Sequence, residues 1–440
     1  MKFLLLLLLC ITSILLLVSC AGLPEGRDSI NRETERINFS GLQLGICHAG
    51  YSATDEEYAV IKELGIKWIR VDLKWSNVEK VRGEWDFSYY DEFIDKANEH
   101  GIKVLAILDY DTEWLHEGRD KSRRISLEEL PLFLRYIKKV TERYGARVGA
   151  FEIWNEPNSP RFWTGSDKDF FELTNQTLDL IKEISPQTLV AVGSMFYHPI
   201  LGSRCYLKKL IKSGVLEKAD AVSLHPYTAS KKAMERRILD ARKVILNAGY
   251  NTPIWITEVG FPTGGMYPFR VKLEEQPSAI AESITRLSST GVEMIIWYCM
   301  YDSKNPEDVI RGMSSENFFG ILWPDYTWKP GATAYSIIAN ELQNSIYSDE
   351  ALNLQGKNIS NLYQSVFKKA DGSVSAILWA RYSDVELYLA PGLTPISIYN
   401  LITGEIYEIS KETSYVVTKE PILIHINKFE NSSFSSKNDN

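Results

Sequence analysis

The sequence is short of cysteine: five in 440 residues, of which Cys10 and Cys20 fall in or at the end of the opening apolar stretch. Cys47, Cys205 and Cys299 remain, an odd and widely spaced set that makes neither a disulfide framework nor a zinc-ligand spacing. The fold must therefore stand on its core. A basic stripe is also lacking and the net charge is -8, which argues against nucleic acid as a partner. No Gly-x-Gly-x-x-Gly turn follows the first apolar run, so a dinucleotide-binding reading loses its main support. No cluster of His, Asp and Cys has ligand spacing, and neither metal nor cofactor is expected.

One long apolar run is present, at the N-terminus. Met1-Lys2 is a short positive start, Phe3 to Val18 is almost all apolar, and Leu17-Val18-Ser19-Cys20 closes it. The run is too short and ends too abruptly for a comfortable membrane span, so residues 1–19 read as a signal peptide. The Leu-Val-Ser-Cys ending resembles the lipobox of bacterial lipoproteins. That resemblance implies lipidation of Cys20, a membrane anchor there, and a place in the bacterial cell envelope, periplasmic or at the cell surface. Residues 20–38 are polar, charged and without period, as a tether is.

Residues 39–347 then repeat a short apolar run, a loop and an amphipathic stretch. The runs are Leu42–Cys47, Trp68–Leu73, Lys103–Leu108, Gly149–Trp154, Leu189–Gly193, Ala221–Leu224, Ile254–Thr257 and Met294–Tyr298. Near-continuous apolar content marks strands buried on both faces of a parallel sheet. Between them, Thr54 with Glu57 and Ser126 with Glu129 have capping-box spacing, and Tyr90, Phe93, Ile94 and Ala97 fall on one helical face. Eight such units predict a (β/α)8 TIM barrel. Over 348–430 the runs become short and alternating, punctuated by Asp371-Gly372, Pro391-Gly392 and Gly404, which predicts a small antiparallel β-sandwich. Residues 431–440 are rich in Ser, Asn and Lys and are expected to be a disordered tail.

The active site of such a barrel lies at the C-terminal ends of its strands. Those ends carry His48, Arg70, Asn155-Glu156, His225 with Tyr227, Glu258 and Trp297. Two carboxylates facing one rim are what glycoside hydrolysis needs. The pattern resembles clan-A retaining glycoside hydrolases, in which an Asn-Glu pair ends strand four and a second Glu ends strand seven. Trp154-Asn155-Glu156-Pro157-Asn158 with Phe162-Trp163, Ser223-Leu224-His225-Pro226-Tyr227, and Phe319-Gly320-Ile321-Leu322 before Lys329-Pro330 are most similar to family 39 glycosidases and relatives acting on exopolysaccharide.

The resemblance implies Glu156 as acid/base and Glu258 as nucleophile. Glu156 must start protonated and Glu258 ionised. Arg70 and Tyr227 are placed to hold the latter, and Asn155 to bond the sugar 2-hydroxyl. Trp297, Trp163 and Trp114 are expected as stacking surfaces for sugar, and His48 and His225 as hydrogen-bonding groups. Strand parity sets Cys47 outward if His48 faces inward, and Cys299 inward with Trp297, so all three thiols are expected to stay reduced. The substrate expected is a polysaccharide or oligosaccharide. A silent glycan-binding lipoprotein and a transglycosylase using the same glutamates are the rival readings.

Overall fold

The eight apolar runs become the parallel strands of a closed barrel in the computed structural model, joined in sequence order. The structure describes residues 39–48, 54–116, 123–265, 269–303, 315–388, 396–409, 414–426 and 434–436. The signal peptide, Cys20, the tether and Pro391-Gly392 lie outside the described residues. The strands are β1 (Gln43–Cys47), β2 (Trp68–Lys74), β3 (Lys103–Asp109), β4 (Ala150–Ile153), β5 (Leu189–Phe196), β6 (Ala221–His225), β7 (Ile254–Val259) and β8 (Met294–Trp297). β8 returns to β1, with Leu44 opposite Ile295 and Ile46 opposite Trp297.

Alternation along each strand divides the core in two. Leu44, Ile46, Ile69, Val71, Phe151 and Ile153 face the surrounding helices, which meet them with stripes such as Tyr90, Phe93, Ile94 and Ala97. Trp68, Leu105, Ala150, Ala191, Ala221, Trp255, Met294 and Ile296 fill the barrel interior. Phe39 closes this layer from below, its ring 5.7 Å from Trp68 and 5.6 Å from Trp255.

Parity corrects two sequence expectations. Met294 and Ile296 take the inward positions of β8, so Trp297 falls with Ile295 on the outward face and is wholly buried against the helices. Cys47 and Cys299 both belong to the inward cluster, rather than to opposite faces. His48 and Cys299 lie past the last residues of β1 and β8, where strand alternation no longer governs direction. Cys47, Cys205 and Cys299 form no disulfide with one another.

The C-terminal strands are β9 (Ile346–Ser348), β10 (Glu350–Leu352), β11 (Gln355–Lys357), β12 (Leu362–Lys368), β13 (Val374–Ala380), β14 (Val385–Tyr388), β15 (Ile396–Asn400), β16 (Ile406–Ile409), β17 (Tyr415–Val417), β18 (Ile422–Ile426) and β19 (Phe434–Ser436). Six of them form one sheet in the order β16-β15-β18-β13-β12-β9, three form a second, β11-β14-β17, and β10 pairs with β19. The large sheet has two apolar faces. Val366, Ala376, Leu378 and Ile424 meet Val385, Leu387 and Val417 of the small sheet, while Phe367, Ile377, Trp379 and Leu423 join the core of the barrel. The tail expectation is corrected at Phe434–Ser436, which pair antiparallel with Glu350–Leu352.

Candidate active site

The C-terminal ends of the barrel strands enclose a cavity of about 390 Å³, lined by His48, Arg70, Asn155, Glu156, Tyr227 and Glu258 among others. Its floor is a buried charge network. Arg70 projects inward from β2, two residues above Trp68, and its guanidinium reaches four oxygen partners besides the Cys47 thiol at 3.9 Å. Nε donates to Glu152 Oε2 at 2.6 Å and Nη1 to Glu258 Oε1 at 2.5 Å. Nη2 donates to Asn155 Oδ1 at 3.0 Å and to Ser194 Oγ at 3.3 Å. A cation this buried persists because carboxylates surround it. Burial alone would lower the Arg70 pKa, yet Glu152 and Glu258 keep it well above the usual arginine value.

Irregular backbone aims the two carboxylates. The β7–β8 register slips between Ile256 and Val259, so both Thr257 and Glu258 turn toward the site. Gly260 follows because a Cβ there would stand 2.0 Å from the Tyr298 carbonyl oxygen. After β4, Trp154 and Glu156 both hold positive φ, 66° and 43°, conformations that cost a bulky residue energy and recur at functional sites. The Trp154 indole donates to the Phe162 carbonyl, and the Glu156 N–H to the Ser194 carbonyl, which fixes this turn. The β5–β6 register also slips between Val192 and Met195, bringing Ser194 to Arg70.

An oxygen of Glu156, a ring nitrogen of His225 and an oxygen of Glu258 all lie within 4.8 Å of one another. His225 Nδ1 stands 3.0 Å from Glu156 Oε1 and 3.6 Å from Glu258 Oε2. Its Nε2 faces Thr257 Oγ1 at 3.1 Å, and that hydroxyl donates to Glu152 Oε1 at 2.7 Å. The ring thus links the two rim carboxylates to the buried one. The Tyr227 hydroxyl donates to Glu258 Oε2 at 3.0 Å. Burial pushes the Glu258 carboxyl up, but His225, Arg70 and the Tyr227 hydroxyl together hold it below the ordinary carboxylate value. Among the described residues this is the trio that could share a cation, yet both Glu258 oxygens already accept hydrogen bonds and one faces a guanidinium.

Arg70, Asn155, Glu156, His225, Tyr227 and Glu258 come together here, and His48 lines the same cavity. Three tryptophans do not. Trp297 packs beside Phe261 in the core, and Trp163 sits edge-on to Trp154 and Phe170. Trp114 meets Trp75 edge-on and donates to the Glu79 carbonyl. The aromatics that line the cavity are instead Tyr110, Phe162, Phe196, Tyr227, Phe269, Tyr298 and Phe319. Sequence reasoning also missed Glu152, Ser194 and Thr257. Glu152 had one signal, a charge inside the apolar run of β4.

The upper wall carries further charge. Asp72 and Lys74 pair at 3.1 Å and line the cavity, with Arg161 and Glu316 at 3.7 Å on the same lining. Asp109, opposite Lys74 in the β2–β3 register, is fully buried with neither carboxyl oxygen hydrogen-bonded. Burial, then the charge of Asp72, raises its pKa well above the ordinary value.

Comparison with known proteins bears on this geometry. The chain is 23% identical over 428 residues to a beta-xylosidase of Geobacillus stearothermophilus, covering 87% of this chain and 77% of that protein. It is 25% identical over 137 residues to a 6-phospho-beta-glucosidase of Clostridium longisporum, a match spanning 29% of either protein. The fold is that of a family 39 glycoside hydrolase from Bacteroides cellulosilyticus WH2, with a TM-score of 0.72 at 16% identity over 88% of this chain and 81% of that one. The family 39 resemblance thus returns as likeness of fold. Residues 30–303, well over half of the chain, match the model described as cellulase (glycosyl hydrolase family 5), and the chain belongs to that family of O-glycosyl hydrolases.

Proposed function

We propose that this chain is a retaining glycoside hydrolase that cleaves O-glycosidic bonds of a polysaccharide or oligosaccharide by double displacement. The observation that carries the reading is the pair of rim carboxylates. Glu156 and Glu258 bring oxygens within 4.8 Å of each other, nearer the retaining separation of about 5–5.5 Å than the inverting range of about 6.5–9.5 Å. Their surroundings differ as the two roles require. Glu258 is held ionised by Arg70 and Tyr227, whereas Glu156 faces His225 and, among the described residues, is hydrogen-bonded to no guanidinium.

In the first step Glu258 attacks the anomeric carbon as Glu156 gives its proton to the departing glycosidic oxygen. The C–O bond breaks and a glycosyl ester of Glu258 forms. Loss of the negative charge on Glu258 then lets Glu156 take a proton from water. Attack of that water on the anomeric carbon frees the sugar and restores the Glu258 carboxylate. Asn155, whose carbonyl oxygen is committed to Arg70 and whose amide also meets Tyr110, has a second N–H for the sugar 2-hydroxyl. The beta-xylosidase and beta-glucosidase names of relatives make aryl β-xylosides and β-glucosides the first probes. Cys20 would carry a lipid anchor, with residues 20–38 as tether, 39–347 as catalytic barrel and 348–430 as sandwich, placing the enzyme in the cell envelope.

The test is a panel of aryl glycosides and polysaccharides, with the anomer of the first product read by NMR. Retention is expected. Glu258→Gln should lower turnover on the order of 10³-fold or more, while Glu156→Gln keeps part of the first step on substrates with good leaving groups. First-formed product of inverted configuration, or near-full activity of Glu258→Gln, would sink the assignment.

A further inference from the structure

His48 and Glu57 form a buried pair that the double displacement does not use. His48 follows β1, lines the cavity and is nearly inaccessible. Its Nε2 lies 2.9 Å from Glu57 Oε1, both side chains having no exposed surface. Phe93 and Tyr301 stand edge-on to the ring at 5.4 and 5.8 Å, and the His48 N–H donates to the Arg70 carbonyl, so ring and backbone are both fixed. The other ring nitrogen, Nδ1, is buried with no hydrogen-bond partner. A fixed, buried ring nitrogen left without a partner, in a residue that lines a cavity, calls for an explanation, and a ligand supplies one.

The helix Asp55–Glu63 supports the same conclusion. Thr54 and Glu57 have the spacing of a capping box, and Thr54 Oγ1 accepts from the Glu57 N–H at 3.2 Å. At Ser126 and Glu129, with the same spacing, the carboxylate closes the box by accepting from the Ser126 N–H at 2.8 Å. Glu57 sends Oε1 to His48 instead. A carboxylate only accepts hydrogen bonds, so Nε2 must carry the proton, and a neutral ring then presents the Nδ1 lone pair as an acceptor.

We infer that His48 is a substrate-recognition residue whose Nδ1 accepts a hydrogen bond from a free hydroxyl of the sugar bound in the cavity, with Glu57 as the positioning residue that sets its tautomer. The inference rests on the glycan-binding part of the reading above. It narrows the substrate class to glycosides with an unsubstituted hydroxyl at that position. An ester, ether or phosphate there has no proton to give, and an anionic group would also face the Glu57 charge.

The experiment uses histidine labelled with ¹⁵N in the Glu258→Gln protein, which binds without turnover, and methyl β-D-xylopyranoside, methyl β-D-glucopyranoside and their monodeoxy analogues as probes. The signals lost in a further His48→Asn variant identify the ring. Nε2 should read protonated and Nδ1 unprotonated, and a bound glycoside should shift Nδ1. One deoxy analogue should bind about tenfold more weakly and leave that signal unmoved. His48→Leu should lose about tenfold for the parent glycoside and nothing further for that analogue. His48→Asn, which keeps an acceptor oxygen near the position of Nδ1, should recover most of the loss. Glu57→Gln should shrink the penalty for the missing hydroxyl, which a purely structural carboxylate would leave unchanged. A protonated Nδ1 in the free enzyme, or equal deoxy penalties with and without His48, overturns the inference. Glycoside binding that shifts Nδ1, without hydrolysis by the unsubstituted enzyme, defeats the hydrolase reading alone. Hydrolysis with an unmoved Nδ1 defeats this inference alone, and absence of any binding defeats both.

Discussion

The two ends of the barrel interior are built on the same strands and do opposite things. At the lower end β2 supplies Trp68, β4 supplies Ala150 and β7 supplies Trp255, packed with Phe39 into an apolar plug. Two residues further along, those strands supply Arg70, Glu152 and Thr257, an ionised and hydrogen-bonded floor. One inward step of roughly 7 Å separates them. The lower layer is stabilised by removal of apolar surface from water, and the upper by mutual satisfaction of charges that no single residue could keep buried.

Removal of a charge from the upper layer should have the largest effect. Arg70→Met leaves Glu152 and Glu258 buried without their cation. We expect a stability loss of about 3–5 kcal/mol by denaturant titration, together with collapse of kcat/KM. Restored activity in a hydrophobic Arg70 variant would show that the floor is scaffolding alone. The lower layer should separate these readouts. Trp255→Ala should cost about 3–5 kcal/mol, and the surviving folded fraction should keep the kcat/KM of the parent. A large fall in kcat/KM per folded molecule would erase the distinction between the two ends.

Titration sharpens the comparison within the upper layer. Asp109 has a raised pKa in the folded state, so its contribution to stability is full below the ordinary carboxylate pKa and is lost as pH rises toward the folded value. Glu258 has a lowered one, so its contribution is present above the ordinary value and lost as pH falls through the folded one. Asp109→Asn should therefore flatten the fall in stability on raising the pH. An unchanged slope of unfolding free energy against pH would remove Asp109 from this account. The smallest effect should come from outside both layers. Trp297→Phe should cost about 1 kcal/mol with KM for an aryl glycoside unchanged, and a raised KM would return that residue to the site.

Barrel, sandwich and the six site residues at strand ends were legible because strands buried on both faces are apolar and end in polar residues. Arg70, Asn155, Glu156, His225, Tyr227 and Glu258 each break such a run. What the sequence hid depends on direction rather than composition. Glu258 faces the site beside Thr257 only because β7 slips register, and Ser194 reaches Arg70 through the slip in β5. Trp297 has the composition of a sugar platform at a strand end, but the inward positions of β8 belong to Met294 and Ile296. Capping-box spacing at Thr54 and Glu57 specifies the backbone cap but does not say that the carboxylate goes to His48.

The six-stranded sheet lends Phe367, Ile377, Trp379 and Leu423 to the barrel and Val366, Ala376 and Leu378 to its own sandwich. Neither of its faces can be stripped without exposing a core to water. Heating should therefore melt sandwich and barrel as one cooperative unit: a single endotherm, with calorimetric and van't Hoff enthalpies that agree.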